Sequence, residues 1–442
     1  MRKPKIVTEL PGPKARVLLK KDAKFISPSY TRSYPAVIEQ GKGVWVKDVD
    51  GNEFLDFTSG IAVLSTGHCH PEVVEVIKRQ VERLIHMSGT DFYYPYQIEL
   101  AEKLAEIVPG GKNKKVFFGN SGAEAVECAM KLARYIKRRP RYIAFTGAFH
   151  GRTFGALSLT SSKAGQRRFF GPLLPDVTHV PYAYCYRCPF NLSYPSCALE
   201  CVKYIEEVVF KKIAPPEEIS AIFVEPIQGE GGYVVPPKGF LPALRDLCSK
   251  YEILLVDDEV QAGMGRTGRM FAIEHYNTKA DMYCIAKGIA SGLPLGVCVA
   301  NAGLMEWPPG AHASTFGGNP VSCTAAMKTI ELLENGLIDN AARLGEIALK
   351  RLNELKERYE FIGDVRGKGL MIGVEFVADK KSKTPIKDRR DAVVYEAFKQ
   401  GLLLLGAGES AVRIIPPLVI SEEELQVGLD IFESVLKKVF KI

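Results

Sequence analysis

Apolar positions along this chain change period in a way that sorts it into segments. From Pro71 onward Val74, Ile77, Val81 and Leu84 recur every three or four residues, the spacing of one helical face. A second helix is predicted over 96–107. From about Val116 the texture alternates. The short run VFFGN precedes a predicted helix over 121–138. Then come the strand candidate YIAFTG, a loop, a helix near 200–212, the strand AIFVEP, a helix over 242–251 and the strand ILLVDDE. MYCIA and LGVCVA are further strand candidates, and a long helix follows Asn319. Short β-rich runs alternating with helices predict an α/β fold whose mostly parallel sheet is covered on both faces.

The two ends read differently. Residues 1–50 look like an arm that finishes in a hairpin, GVWVKDVDGNEFLDF, with Val44, Trp45 and Val46 before an Asp50-Gly51 turn. After about Gly336 a Lys/Glu-rich amphipathic helix over 341–359 leads to GLMIGVEF, a helix over 391–400, RIIPP and a last helix. That last helix opens at Ser421 with Glu424 three residues on, a capping box. The expected division is an arm with its hairpin over 1–65 packing with the small domain, a large domain over 66–335, and a small α+β domain over 336–442.

Composition narrows the class without naming a function. The 442 residues are 46% hydrophobic and 25% charged, ordinary for a globular protein. The net charge of +7 is not gathered into a basic block, so no nucleic-acid partner is expected. No run approaches the ~18 apolar residues of a membrane span. The basic N-terminus lacks an apolar core, so no secretory signal is expected and the cytoplasm is the expected location. Of ten cysteines, Cys69, Cys128, Cys248, Cys284, Cys298 and Cys323 are dispersed and read as buried thiols.

Candidate chemistry sits at strand ends, where open α/β sheets bind ligands. ILLVD delivers Asp257, Asp258 and Glu259, then Gln261, into a crevice. A buried carboxylate there needs a cationic partner or a metal. MYCIA runs into Lys287, where poor solvation lowers the pKa and makes the amine nucleophilic; alone, it would read as a snorkelling lysine. GNSGAEA places small residues at a helix start whose free amides cradle a phosphate, although it is equally an ordinary serine cap. Phe149, His150 and Arg152 follow YIAFTG, and STFGGNP is a turn open to close approach. Together these positions outline one ligand: a phosphate at Ser121–Ala123, a flat ring against an aromatic, a carboxylate facing a pyridinium nitrogen, and a lysine that attacks an aldehyde. That ligand is pyridoxal phosphate on a Schiff-base lysine, with no metal required.

In their order, DVDGNEFLDFTSGIAVLSTGHCHP, SGAEA, FHGRT, VEPIQGEGG, VDDEVQAGMGRTG, AKGIASG, STFGGNP and VRIIPP resemble the class III (ω-amino acid) aminotransferases over nearly the whole chain. The 4-aminobutyrate and ornithine enzymes look most similar. The resemblance implies fold type I, with a seven-stranded sheet in the large domain, and a homodimer or higher oligomer with shared sites. It implies that Lys287 carries the Schiff base and shuttles protons, and that Asp258 pairs with the pyridine nitrogen. It further implies that Gln261 contacts the ring oxygen, that Phe149 stacks on the ring with His150 beside it, and that Glu225 supports the site from behind. Ser121, Gly122 and Ala123 would hold the phosphate, helped by Thr315 of the partner subunit. For substrate, Arg152 would bind a carboxylate, and Glu230 with Arg413 would form a switch pair. Ile61 would line the pocket wall, and GTDFYY over 89–94 would approach the substrate.

The implied reaction moves an amino group from an ω-amino acid such as 4-aminobutyrate or ornithine to 2-oxoglutarate. An amino acid racemase on the same scaffold is the alternative, because both reactions draw on the same cofactor residues. A non-catalytic protein with a decayed site is disfavoured by the intact Lys287. Other signals are discounted. Gly263–Gly268 fits G-x-G-x-x-G but follows DDEVQ rather than a strand, so a turn is expected. His68 and His70 read as loop histidines. Cys185, Cys188, Cys197 and Cys201 are compatible with thiols, two disulfides or a zinc site.

Overall fold

The computed structural model describes residues 2–442. Its central sheet has seven strands in the spatial order Lys114–Gly119, Gly296–Asn301, Met282–Ile285, Leu254–Asp258, Ile219–Val224, Arg141–Phe145 and Val177–Val180. Gly296–Asn301 runs antiparallel to both neighbours, and the other pairings are parallel. The sheet is buried on both faces because side chains alternate across it. Tyr142, Ala144, Phe223, Leu254 and Val256 pack beneath the helix Gly122–Lys137, whose buried face is rich in alanine. Ile143, Phe145, Ile222, Val224 and Leu255 join the larger core on the opposite face.

The predicted hairpin is present as Trp45–Asp48 paired with Glu53–Asp56. Glu53–Asp56 also pairs, in parallel, with Leu402–Leu403, so the N-terminal hairpin shares a sheet with a C-terminal strand. A third sheet orders Ile362–Lys368, Met371–Phe376, Ala411–Ile414 and Leu405–Ala407. The helix Pro320–Leu332 passes through a wide turn, with Gly336 at φ 124°, into the helix Ile338–Arg358. The capping box at Ser421 and Glu424 starts the helix Glu422–Phe440.

Several expectations need correction. The arm contains a helix, Pro13–Phe25, and a third strand, Ile38–Lys42, beside the hairpin. The stretch after YIAFTG holds a short helix, Phe154–Leu159, and the edge strand Val177–Val180. Cys69 is exposed rather than buried. Among the described residues no helix is long and apolar enough to cross a membrane.

Candidate functional site

A cavity of about 490 Å³ opens where the sheet ends at Asp258 and Lys287 and the helix Gly122–Lys137 begins. Ser121, Gly122, Ala123, Phe149, His150, Arg152, Glu225, Asp258, Gln261 and Lys287 all line it. Residues 166 positions apart in sequence, from Ser121 to Lys287, are therefore brought together by strand order alone.

Asp258 is the last residue of the strand Leu254–Asp258 and is almost wholly buried. Its Oδ2 lies 2.7 Å from Nδ1 of His150, and its Oδ1 accepts the Val260 amide at 3.0 Å. Burial opposes a charge on His150, but the hydrogen bond and negative charge of Asp258, with Glu225 adding, carry its pKa above the ordinary value. His150 Nε2 is buried without a partner. Behind this pair, Glu225 accepts the Phe149 and Gly229 amides, each at 3.0 Å. Burial, reinforced by Asp258, raises its pKa to about 7 despite His150 and those two amides.

Lys287 follows the buried strand Met282–Ile285 and holds a left-handed backbone, φ 48°. Such a conformation is uncommon outside glycine and collects at functional sites. Burial lowers the lysine's pKa, with Arg413 adding and Glu230, Asp258 and Glu225 partly offsetting. The amine therefore loses its proton more readily than a solvated lysine.

At the helix start, the serine-cap reading and the phosphate reading hold at once. Ser121 Oγ accepts the Glu124 amide at 3.2 Å. The amides of Gly122 and Ala123, in the first turn, have no intrahelical acceptor and face the cavity. Gly122 must be glycine, since a Cβ there would meet the Val260 side chain at 2.7 Å. Helix amides for an anion, a buried carboxylate, a buried unpartnered imidazole nitrogen and a lysine of lowered pKa fit the donor set that pyridoxal phosphate needs.

Beside the cavity, Arg413 on the strand Ala411–Ile414 donates to Glu230 Oε1 at 2.6 Å and twice to the Gly406 carbonyl, at 3.0 and 2.8 Å. Burial works against both charges. The positive field of Arg413, Lys163 and Lys287 nevertheless holds Glu230 below the usual carboxylate range. Gln261 Oε1 accepts from the Tyr233 hydroxyl at 2.9 Å and lies 3.5 Å from Arg413 Nη1. Tyr233 thus orients Gln261, a link with no signal in the sequence. The Arg152 guanidinium stands 5.6 Å from the centre of the Phe149 ring.

Four expected residues are absent from the cavity lining: Glu230 and Arg413, which stand beside it, and Thr315 and Ile61. Thr315 is exposed and does not line it. Ile61 is 43% exposed, in a left-handed run (Ser59 φ 48°, Gly60 φ 60°, Ile61 φ 69°, Ala62 φ 59°), and also lies off the lining. The segment 89–94 packs on the turn that carries Thr315, through Tyr94 Oη donating to the Gly318 carbonyl at 2.6 Å. Lys163 and Val260 are site neighbours that sequence reasoning missed.

The discounted signals resolve simply. Gly263–Gly268 is a turn, with Met264, Gly265 and Gly268 at positive φ. His68 Nε2 meets Asp56 Oδ2 at 2.8 Å. The four clustered cysteines line a separate apolar cavity that shares no residue with the Lys287 cavity. All ten cysteines are free thiols, and among the described residues no three His, Cys, Asp or Glu are arranged to hold a metal.

Comparison with known proteins finds relatives over nearly the whole chain. The class-III aminotransferase family profile matches residues 26–436. The chain is 42% identical to an alanine/serine racemase of Pyrococcus horikoshii, over 99% of this chain and 93% of that one. It is 43% identical to an acetylornithine aminotransferase of Methanopyrus kandleri, over 92% of this chain and 95% of that one. A solved structure of a thermostable (S)-enantioselective omega-transaminase from Thermomicrobium roseum superposes with a TM-score of 0.89 at 34% identity, covering 96% of this chain and 99% of that one.

Proposed function

This chain belongs to the class III aminotransferase family, and we propose that it moves an amino group from an ω-amino acid, such as 4-aminobutyrate, ornithine or a close analogue, to 2-oxoglutarate. It is a fold type I enzyme that acts on small amino and oxo acids with pyridoxal phosphate as cofactor. Bound in the cavity, that cofactor supplies an electrophilic carbon for the amine and an electron sink for the carbon that loses a proton.

The chain's own residues do the rest. Ser121, Gly122 and Ala123 fix the phosphate through the helix start, and Phe149 flanks the ring. Asp258, shut away from water, holds a proton on the ring nitrogen, and its contact with His150 fixes its orientation. Gln261 meets the ring oxygen. Lys287, with its lowered pKa, takes the proton from the substrate carbon and returns it. Arg152 binds a substrate carboxylate. Glu230 covers Arg413 while an ω-amine reacts, and releases it to bind the α-carboxylate of 2-oxoglutarate.

The observation that carries this reading is the Glu230–Arg413 ion pair at 2.6 Å. An enzyme that alternates between a monocarboxylate amine and a dicarboxylate acceptor needs an arginine that can be covered and uncovered. The working unit in this reading is a cytoplasmic homodimer, because Thr315 is exposed and stands outside the cavity of its own chain. We take 66–335 as the cofactor-binding domain, and 336–442 as the small domain, which contributes Arg413.

Racemisation is the second reading, favoured by the 42% identity to an alanine/serine racemase over 99% of the chain. The two separate on incubation of the holoenzyme with L-amino acids, 4-aminobutyrate and ornithine, each with and without 2-oxoglutarate, followed by chiral chromatography. Glutamate formed only with the acceptor establishes transamination. D-amino acid formed without any acceptor establishes racemisation and overturns the proposal.

A further inference from the structure

Arg413 is not the only cation at Glu230. Lys163 lies in the loop after the helix Phe154–Leu159, and its Nζ stands 3.8 Å from Glu230 Oε2, the oxygen opposite the one that Arg413 holds. That loop is tied down. Ser162 Oγ donates to Gln166 Oε1 at 2.7 Å, and the Gln166 amide donates to the Lys163 carbonyl at 3.0 Å. The lysine side chain is half exposed, and Glu230 is its sole ion-pair partner among the described residues. A move of about one ångström would turn the 3.8 Å approach into a charge-assisted hydrogen bond.

The need for such a move follows from the switch. When Arg413 leaves for a substrate carboxylate, Glu230 is left as a largely buried carboxylate without a hydrogen-bonded cation, a costly state. Lys287 also acts on Glu230 but is committed to the reacting carbon. Lys163 is the cation to spare. Its surroundings carry several positive charges: Arg413, Arg390 and Arg152 all act on it, alongside Glu230. A site with that surplus suits a ligand carrying two negative charges.

We propose that Lys163 is the second partner of Glu230, catching its carboxylate when Arg413 turns to the substrate, so that it favours dicarboxylate over monocarboxylate ligands without touching either. It is a positioning residue. The proposal rests on the switch reading above. With a monocarboxylate ω-amine bound, Glu230 stays on Arg413 and Lys163 is idle. With a dicarboxylate, Lys163 removes the penalty of breaking the pair.

The test uses unreactive ligands and the holoenzyme. Glutarate stands for the dicarboxylate and pentanoate for the monocarboxylate, and binding is read from the change in cofactor absorbance. Lys163→Gln is expected to weaken glutarate binding about tenfold, one charge-assisted contact, and to leave pentanoate within about twofold. Lys163→Arg is expected to stay close to wild type. In a Glu230→Gln background, Lys163→Gln is expected to change nothing, since no carboxylate is left to catch. Equal loss of both ligands, or the same glutarate loss in the Glu230→Gln background, overturns the proposal in favour of direct contact with the ligand. A wild-type holoenzyme that binds glutarate but is indifferent to Lys163→Gln defeats the Lys163 role alone. A wild-type holoenzyme that neither binds glutarate nor forms glutamate from 2-oxoglutarate overturns the aminotransferase reading and this proposal together.

Discussion

Nδ1 of His150 lies 2.7 Å from Oδ2 of Asp258, and both side chains are shut away from water. The two residues are 108 positions apart and come from different strand ends. The contact sets the direction of the Asp258 carboxylate. An isosteric amide keeps the shape and loses the charge. Asp258→Asn is expected to fold normally by circular dichroism while its single-turnover rate falls at least about a hundredfold. A rate within a few-fold of wild type would show that the ring nitrogen needs no such partner.

Immediately beside it, Asp257 and Glu259 are fully buried. Neither oxygen of Asp257 has a partner, nor has Glu259 Oε2. Burial pushes both carboxyls up, and one proton shared between them would satisfy the orphaned oxygens. Glu225 moves the same way, to about 7 from its ordinary 4.5. For such groups the folded chain binds more protons than the unfolded chain between the two pKa values. The stability they lend is therefore present at low pH and lost as pH rises through that window. Glu259→Gln is expected to flatten the decline in melting temperature between about pH 5 and about pH 8 by a few degrees. Parallel curves for variant and wild type would remove the shared proton from the account.

Beside the cavity, Arg413 is held between Glu230 and the Gly406 carbonyl. Arg413→Ala is expected to raise the KM for 2-oxoglutarate about tenfold or more and to change the KM for an ω-amine by less than about threefold. Steady-state kinetics with each substrate varied in turn will show it. Equal losses for both would mean that Arg413 does not switch.

The N-terminal helix Pro13–Phe25 is held from a distance. Asp50, in the hairpin turn, accepts the amides of Lys14 and Ala15, each at 2.8 Å. Asp50→Ala is expected to cost about 1 kcal/mol, the worth of a helix cap, and to speed hydrogen exchange across 13–25. Unchanged exchange there would assign the helix to its own propensity.

That helix also shows where sequence reading fails. Its Lys-rich stretch buries only Ala15, and its cap comes from a residue about 35 positions on, so no local pattern announces it. The edge strand Val177–Val180 is four residues long, too short for alternation to register. The central strands were legible because burial on both faces leaves unbroken apolar runs. Asp258, Lys287 and the 121–123 turn were legible because each ends or follows such a run. Lys163 and Tyr233 were not, because they act through Glu230 and Gln261, residues joined to them only by the fold.

The proposed reaction moves nitrogen from one molecule to another. It is measured by a single turnover of holoenzyme with L-ornithine labelled with ¹⁵N at its ω-amine, unlabelled 2-oxoglutarate and deuterated water, read by chiral chromatography and mass spectrometry. Transamination is expected to put ¹⁵N in glutamate and to leave the oxo product of the donor. Unlabelled 2-oxoglutarate left intact, beside an L-amino acid that exchanges its α-hydrogen for deuterium and appears as both enantiomers, would contradict it.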